Sequence, residues 1–243
     1  MNQDPNKTLG SIIGGSLIIS FFIFGLFYYM GQSADSKDAL SVTGSAKTQI
    51  TSDRAKLTIV VSRTVTQSGL AEGYEATARD VVLTKNLLRK EGAPEADILE
   101  GTISTSQRYD YNRTPGSEIQ YEIRQTITVQ SDDVEKLTAI SKRVPNLAGQ
   151  GAFATIQSLE YFYSKLPELR VSLLAEAVKD AKARAETIAA GSGRKVGGIK
   201  SAASGVVQLL PLNSVEVSDY GTYDTSSIEK DVMVTVKASF GLK

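Results

Sequence analysis

Hydrophobic positions along the chain fall into several distinct periods, and each period predicts an element. Leu9 to Met30 reads LGSIIGGSLIISFFIFGLFYYM, 22 residues without a charge. At 1.5 Å per residue this is about 33 Å of helix, enough for a hydrocarbon core of roughly 30 Å. Beyond a small, polar stretch at Gly31–Ala39, the pattern changes to alternation: Ala55, Leu57, Ile59 and Val61 against Lys56, Thr58 and Ser62, broken only by Val60. That is the period of a half-buried strand. Leu70, Tyr74, Ala78, Val81 and Leu88 then recur at helical spacing between a cap at Ser68 and a stop at Gly92-Ala93-Pro94, which predicts an amphipathic helix of about five turns.

Two alternating runs follow. Leu99, Gly101, Ile103, Thr105, Tyr109 and Tyr111 share one face of a first strand, and Ile119, Tyr121, Ile123, Ile127 and Val129 one face of a second. The Asn112-Arg113-Thr114-Pro115-Gly116 segment between them is turn chemistry, so the runs form a hairpin. Ser131 or Asp132 caps a second helix through Val134, Leu137, Ile140 and Val144 that Pro145 stops, and Ala152–Tyr163 is apolar enough on both faces for a buried strand. The order βαββαβ is that of a ferredoxin-like α+β core, with one sheet face under two helices and the other free. A strand near Leu40–Gln49 extends that sheet. The longest helix runs from about Pro167 to Ala190 with Leu174, Val178, Ala181, Ala185 and Ile188 on a narrow stripe, an Asp180–Arg184 pair on its wet side and a stop at Gly191-Ser192-Gly193. A strand at Val196–Leu210, a polar loop at Asn213–Ser227 and a final alternating strand through Val232, Val234, Val236, Ala238 and Phe240 complete the pattern.

Leu9–Met30 reads as an uncleaved membrane anchor. Tyr28 and Tyr29 lie at one end, where amphipathic rings favour the interface, and Gly14 and Gly15 are commoner in membrane helices than in soluble ones. The competing reading, a cleaved signal peptide, conflicts with the length of the stretch and with the absence of an A-x-A site in Met30-Gly31-Gln32-Ser33-Ala34. Lys7 against Asp4 on one flank, and Lys37 against Asp35 and Asp38 on the other, give a slight bias toward an N-terminus inside the cell. The expected organisation is residues 1–8 cytoplasmic, 9–30 spanning, 31–39 a linker and 40–243 one domain outside the cytoplasm.

Composition narrows the chemistry. The 243 residues include no Cys and no His, which excludes disulfides, thiolate nucleophiles, imidazole metal ligands and the commonest general base. Lys plus Arg and Asp plus Glu both number 27. Removing Asp4 and Lys7 leaves 26 of each beyond the anchor, so no global charge draws this chain to a phosphate backbone, and the short pairs Arg89-Lys90 and Arg194-Lys195 lack the aromatic neighbours of a nucleic-acid site.

Ser192-Gly193-Arg194-Lys195 and Ser227-Ile228-Glu229-Lys230 match the S-x-x-K pattern of serine–lysine acyl enzymes. That chemistry needs Ser at the start of a helix; the first match follows a helix and the second precedes a strand, so both read as coincidence. Gly191, Gly193, Gly197 and Gly198 follow a helix rather than open one, and read as a cap and turn. Asp53, Asp97, Glu100, Asp110 and Glu122 are candidate paired carboxylates, although alternating charges are ordinarily the wet face of a strand. Tyr109, Tyr111, Tyr121, Tyr161 and Tyr163 gather on and around the hairpin, either packing between strands or forming a protein-binding surface with Tyr109, Tyr111 and Tyr121 at its centre. Asn112-Arg113-Thr114 fits the glycosylation sequon. No catalytic, cofactor or metal residues are expected.

Val42-Thr43-Gly44-Ser45-Ala46, Ser52-Asp53-Arg54-Ala55, Asp97-Ile98, Tyr121, and the run Ala175–Glu186 (AEAVKDAKARAE) followed by Gly191 together resemble the SIMPL domain family of bacterial envelope proteins, over about Leu40–Lys243. Ser52 stands where that family usually has Pro. The resemblance implies an extracytoplasmic, non-catalytic protein, linked to envelope integrity and oxidative-stress defence and able to self-assemble, with no catalytic set to carry over. The leading expectation is therefore a membrane-anchored scaffold or interaction protein of the inner membrane; the alternative is a small-ligand or carbohydrate-binding module using the free sheet face.

Overall fold

A computed structural model describes residues 23–24, 38–109, 116, 118–214, 218 and 220–243. The anchor Leu9–Met30 lies outside them except for Ile23 and Phe24, which are helical. No helix among the described residues is long and apolar enough to cross a membrane. The fold is α+β with antiparallel pairing throughout a five-stranded sheet and three described helices of eight residues or more.

The chain divides into two compact units, one holding Lys47–Val171 and Val206–Met233, the other the residues up to Ala46 with Ser172–Gly205 and Val234–Lys243. The first unit contains strand β2 (Arg54–Thr66), helix α1 (Leu70–Lys90), β3 (Ile98–Glu100), β4 (Ser104–Arg108), β5 (Gln120–Ser131), α2 (Val134–Ser141) and β6 (Ala154–Phe162). Its sheet runs β3-β5-β2-β6, with β4 also paired to β5. This is the split βαβ order that the periodicities predict, with the second strand broken in two. The break falls at Gly101, whose N–H donates to Thr126 O at 2.8 Å; Leu99 and Ile103, expected to pack, are exposed.

Ala55, Leu57, Ile59 and Val61 are fully buried, as their alternation predicts, and Val60 is buried too. They pack with Ile127, Val129, Val81, Leu88, Leu137, Ile140 and Leu147, each large aliphatic side chain contributing on the order of 2 kcal/mol of transfer free energy. The α1 face differs from the expected one. Gly73, Ala76, Thr77, Asp80, Val81, Thr84 and Leu88 are buried, while Tyr74 and Ala78 are exposed. Polar residues fit there because they are satisfied locally: Thr77 Oγ1 donates to Gly73 O at 2.8 Å and Thr84 Oγ1 to Asp80 O at 2.7 Å. Gly69, not Ser68, is the N-cap of α1; the Ser68 hydroxyl pairs with that of Thr66. For α2 the cap is Asp133, one residue beyond the predicted pair, with Oδ1 accepting from Lys136 N at 2.9 Å. Helix α2 ends at Ser141, short of the expected Val144, and Pro145 lies in the first turn of a 3-10 helix over Val144–Gln150. Strand β6 is half-buried because it forms the edge of the sheet.

The second unit draws on β1 (Ala39–Thr51), helix α3 (Leu166–Gly191), β7 (Val196–Pro211) and β8 (Glu229–Leu242). The predicted strand near Leu40–Gln49 exists, but it belongs to a separate sheet ordered β1-β8-β7. In β8 the alternating Val232, Val234, Val236, Ala238 and Phe240 are buried. The buried stripe of α3 is Leu173, Ala177, Ala181, Ala185 and Ala189, offset from the expected one at three of five positions. Strict spacing by four with small side chains brings a neighbour close. A Cβ on Gly44 would overlap the Ala177 carbonyl oxygen and the Ala181 amide, and would stand 2.7 Å from Ala181 Cβ.

Candidate functional site

Two surfaces of the first unit and a set of buried charges hold the residues with chemical potential. The first surface is the hairpin. Strands β4 and β5 pair from Ser104↔Arg124 to Arg108↔Gln120, and every residue of β4 is exposed. Tyr109, at the end of β4, is 78% exposed. Tyr121 is half-buried opposite Gln107 on one side and Val65 on the other. Tyr111, Asp110, the turn and the Asn112 sequon lie outside the described residues. Tyr161 takes the packing role: it is buried, with its hydroxyl 2.9 Å from Thr138 Oγ1. Tyr74 ties α1 to the hairpin through Thr105 Oγ1 at 2.5 Å.

The second surface was not anticipated. Arg63 on β2 and Asp80 on α1 form a bidentate pair, Nε to Oδ2 at 2.8 Å and Nη2 to Oδ1 at 2.9 Å. Asp80 is 2% exposed. Arg63 Nη2 also donates to Gly151 O at 2.8 Å, the guanidinium lies 4.8 Å from the centre of the Phe153 ring, and the Phe153 amide donates to Asp80 Oδ2 at 3.1 Å. Together they frame a cavity of about 650 Å³ beside Ser62–Thr66 and the first turns of α1. Only a buried acid in the middle of an otherwise apolar-spaced helix could have signalled it.

The remaining charged groups are held by the fold. Lys230, from the second S-x-x-K match, is completely buried, and its Nζ donates to Tyr161 O and Asp224 O, each at 2.6 Å. Burial pushes this amine below its ordinary value and the nearby Asp224 carboxylate pulls it back only in part. Burial raises the Asp53 carboxyl, but the Ser164 hydroxyl and amide that donate to it at 2.7 Å, with Arg54 nearby, hold it below the ordinary range. Asp224 follows the same balance: burial raises it, and donors from Ser226 and Ser227 outweigh that and lower it. Asp180 is lowered by the Ser45 amide at 2.8 Å and then by Arg184 at 2.8 Å. Asp231 is buried against Lys47 at 2.7 Å. Of the candidate carboxylates, Glu100 is engaged by Lys85 at 2.8 Å and by Gln125 at 2.9 Å. Among the described residues no group of three or more acids could hold a metal ion.

Lys230 gives a testable pH dependence. Between its depressed folded-state value and the ordinary 10.5, the unfolded chain carries the extra proton, so stability rises with pH across that window and the cost of the buried cation is fully felt below it. Urea midpoints of Lys230→Met followed through the alkaline range are expected to lose this rise relative to the parent protein. An unchanged slope would mean that the amine titrates as it does in water.

The family model described as "SIMPL: Protein of unknown function (DUF541)" matches residues 40–240. No curated protein matches the chain. Among solved structures it is similar to a hydantoinase/carbamoylase family amidase from Burkholderia ambifaria, with 15% identity over 54% of this chain and 35% of that one and a TM-score of 0.26. An amidase of the same description from Burkholderia multivorans shows 13% identity over 49% and 29%, with a TM-score of 0.25. The chain thus spans 35% and 29% of the length of these two amidases. The regulatory subunit of aspartate kinase from Thermus thermophilus shows 14% identity over 80% and 88%, with a TM-score of 0.18.

Proposed function

Because this chain belongs to the SIMPL family, whose function is unknown, we propose that it is a membrane-anchored envelope protein that works by binding other proteins, or further copies of itself, through its extracytoplasmic surface. The observation that carries this reading is the hairpin edge. Strand β4 has a partner only in β5 among the described strands, all five of its residues are exposed, and its sequence Ser-Thr-Ser-Gln-Arg is polar yet compatible with pairing. An open edge of this kind is a template for another chain, and Tyr109 at its end supplies the amphipathic ring favoured at interfaces. A non-catalytic role is supported by how the reactive side chains are used: the Lys230 amine is spent on two carbonyls and Asp53 on Ser164.

The anchor is assigned to Leu9–Met30 and the compartment to the outer side of the inner membrane. A link to stress defence follows from the family resemblance. The test is a photo-crosslinking residue placed at Tyr109 or Arg108 in intact cells, with light scattering of the detergent-solubilised full chain. Adducts to an envelope protein or to a second copy are expected, and Tyr109→Ala should weaken that association about tenfold, as for an interface tyrosine. A strictly monomeric protein without adducts would remove the basis for the reading.

A second reading, a small-ligand or carbohydrate module, draws on a cavity of about 450 Å³ lined by Leu166, Pro167, Arg170, Leu209, Tyr220 and Tyr223, within the range of ligand sites. It differs from the free sheet face expected from sequence. A saturable thermal shift with a sugar or aromatic ligand, lost in Tyr223→Ala, would favour it over the scaffold.

A further inference from the structure

The edge of β2 opposite the hairpin stops being paired before the strand ends. Strand β6 accompanies β2 only from Arg54↔Phe162 to Val61↔Ala154, whereas β5 continues to Thr66↔Gln120. One more hydrogen bond, Ser62 N–H to Phe153 O at 3.2 Å, follows that register. The chain before Phe153 then leaves the sheet: Phe153 N–H turns to Asp80, and Ala152 N–H to Leu147 O at 3.1 Å. Main-chain groups of a strand alternate in direction, so Thr64 and Thr66 point to the same side as Ser62. Thr66 O accepts from Gly69 N–H at 3.1 Å, while the Thr64 N–H and C=O have no strand partner on that side among the described residues, and Thr64 is exposed.

The 650 Å³ cavity lies along this edge. Its far wall is the start of α1, where Gly69, Gly73 and Ala76 are small. Its end is the Phe153 ring stacked on Arg63, a guanidinium already fixed by Asp80 and Gly151 O. With Arg63 neutralised by Asp80, Glu72 is the unbalanced charge among the lining residues. The Thr64 N–H and C=O, side by side on one edge, match one residue of an extended backbone, and the carboxylate selects a basic side chain.

We propose that the groove beside Ser62–Thr66 is a strand-addition site, taking an extended peptide segment of a partner protein that carries a Lys or Arg and runs antiparallel to β2 in line with β6. The peptide's main chain pairs with Thr64, alternate side chains enter under α1, and the basic one faces Glu72. This site is separate from the hairpin edge and stands independently of it.

Panning a random nonamer phage library on the full-length protein in detergent micelles tests the proposal, with the enriched peptide synthesised and measured by fluorescence anisotropy. Enriched sequences should alternate apolar residues and include Lys or Arg. N-methylation of every second amide in one register should weaken binding at least about tenfold, the loss of one or two hydrogen bonds, and in the other register by no more than about twofold. Glu72→Lys, on the helix surface, should weaken the basic peptide several-fold with the circular dichroism unchanged, and Thr64→Pro should abolish binding. Failure to enrich any peptide, equal sensitivity to both methylation registers, or indifference to Glu72→Lys would each overturn the proposal. Crosslinking of the peptide to β4 instead of Phe153 would do so as well.

Discussion

Replacing Arg63 with alanine is expected to cost about 3–5 kcal/mol of folding stability, read as a lower urea midpoint at an unchanged slope. Asp80 sits in the middle of α1 with 2% of its surface exposed. Three donors satisfy its carboxylate: two from Arg63, at 2.8 and 2.9 Å, and the Phe153 amide at 3.1 Å. Without the guanidinium one donor remains for a buried charge, and the Gly151 carbonyl and the Phe153 ring also lose their contact. Arg63→Lys keeps the charge but cannot reproduce the two-pronged geometry, so an intermediate loss is expected. The double variant Arg63→Met with Asp80→Leu removes both charges and should recover most of the loss, because desolvation largely offsets the attraction within a buried pair. A single variant within about 1 kcal/mol of the parent protein would show that the pair is a surface interaction, and a double variant as unstable as the single would show that the attraction within the pair outweighs its desolvation.

That pair marks the limit of what periodicity reveals. Strands β2, β5 and β8 were legible because their buried sides are aliphatic at every second position, as in Leu57-Thr58-Ile59 and Val232-Met233-Val234. Helix α1 was legible as a helix, but its buried face was not. That face carries Gly73, Thr77, Asp80 and Thr84, residues that a hydrophobic pattern assigns to water and that the fold satisfies through Arg63 and the preceding turn. Lys230 was hidden in the same way: a charge between Glu229 and Asp231 reads as solvated, yet two carbonyls close over it. Membership of β1 in the second sheet was out of reach because its neighbour β8 lies near the other end of the chain. In α3, Ala occurs on several faces, so the stripe could be recognised at Ala181 and Ala185 but not placed. Of the hairpin surface, the sequence located the strands and Tyr109; the free edge of β2 depends on where β6 stops, which the apolar run at Ala152–Tyr163 does not disclose.

Two of the fragments that resemble the SIMPL family, Val42–Ala46 and Ala175–Glu186, turn out to be the two sides of one junction. Gly44 lies against the backbone of α3 at Ala177 and Ala181. Beside it the Ser45 amide donates to Asp180 Oδ2 at 2.8 Å, and Asp180 in turn holds Arg184 at 2.8 Å. Ala177 and Ala181 are therefore required by proximity, whereas Ala175 and Ala183 of the same run are exposed. Gly44→Val should cost about 3 kcal/mol, at the upper end of overpacking penalties, because its first new atom meets a carbonyl and an amide that cannot rotate away. Gly198→Ala is the control: its Cβ would meet nothing within 4 Å, so stability should hold or rise slightly. Adding Ala181→Gly to Gly44→Ala removes the methyl contact but leaves the Ala177 carbonyl in place, so rescue should be partial. Hydrogen exchange at the α3 amides reads this junction apart from the rest of the chain, since local opening is resolved residue by residue. Protection in Gly44→Val equal to that of Gly198→Ala would mean that the helix can shift outward at little cost, and that the glycine is there for a reason other than space.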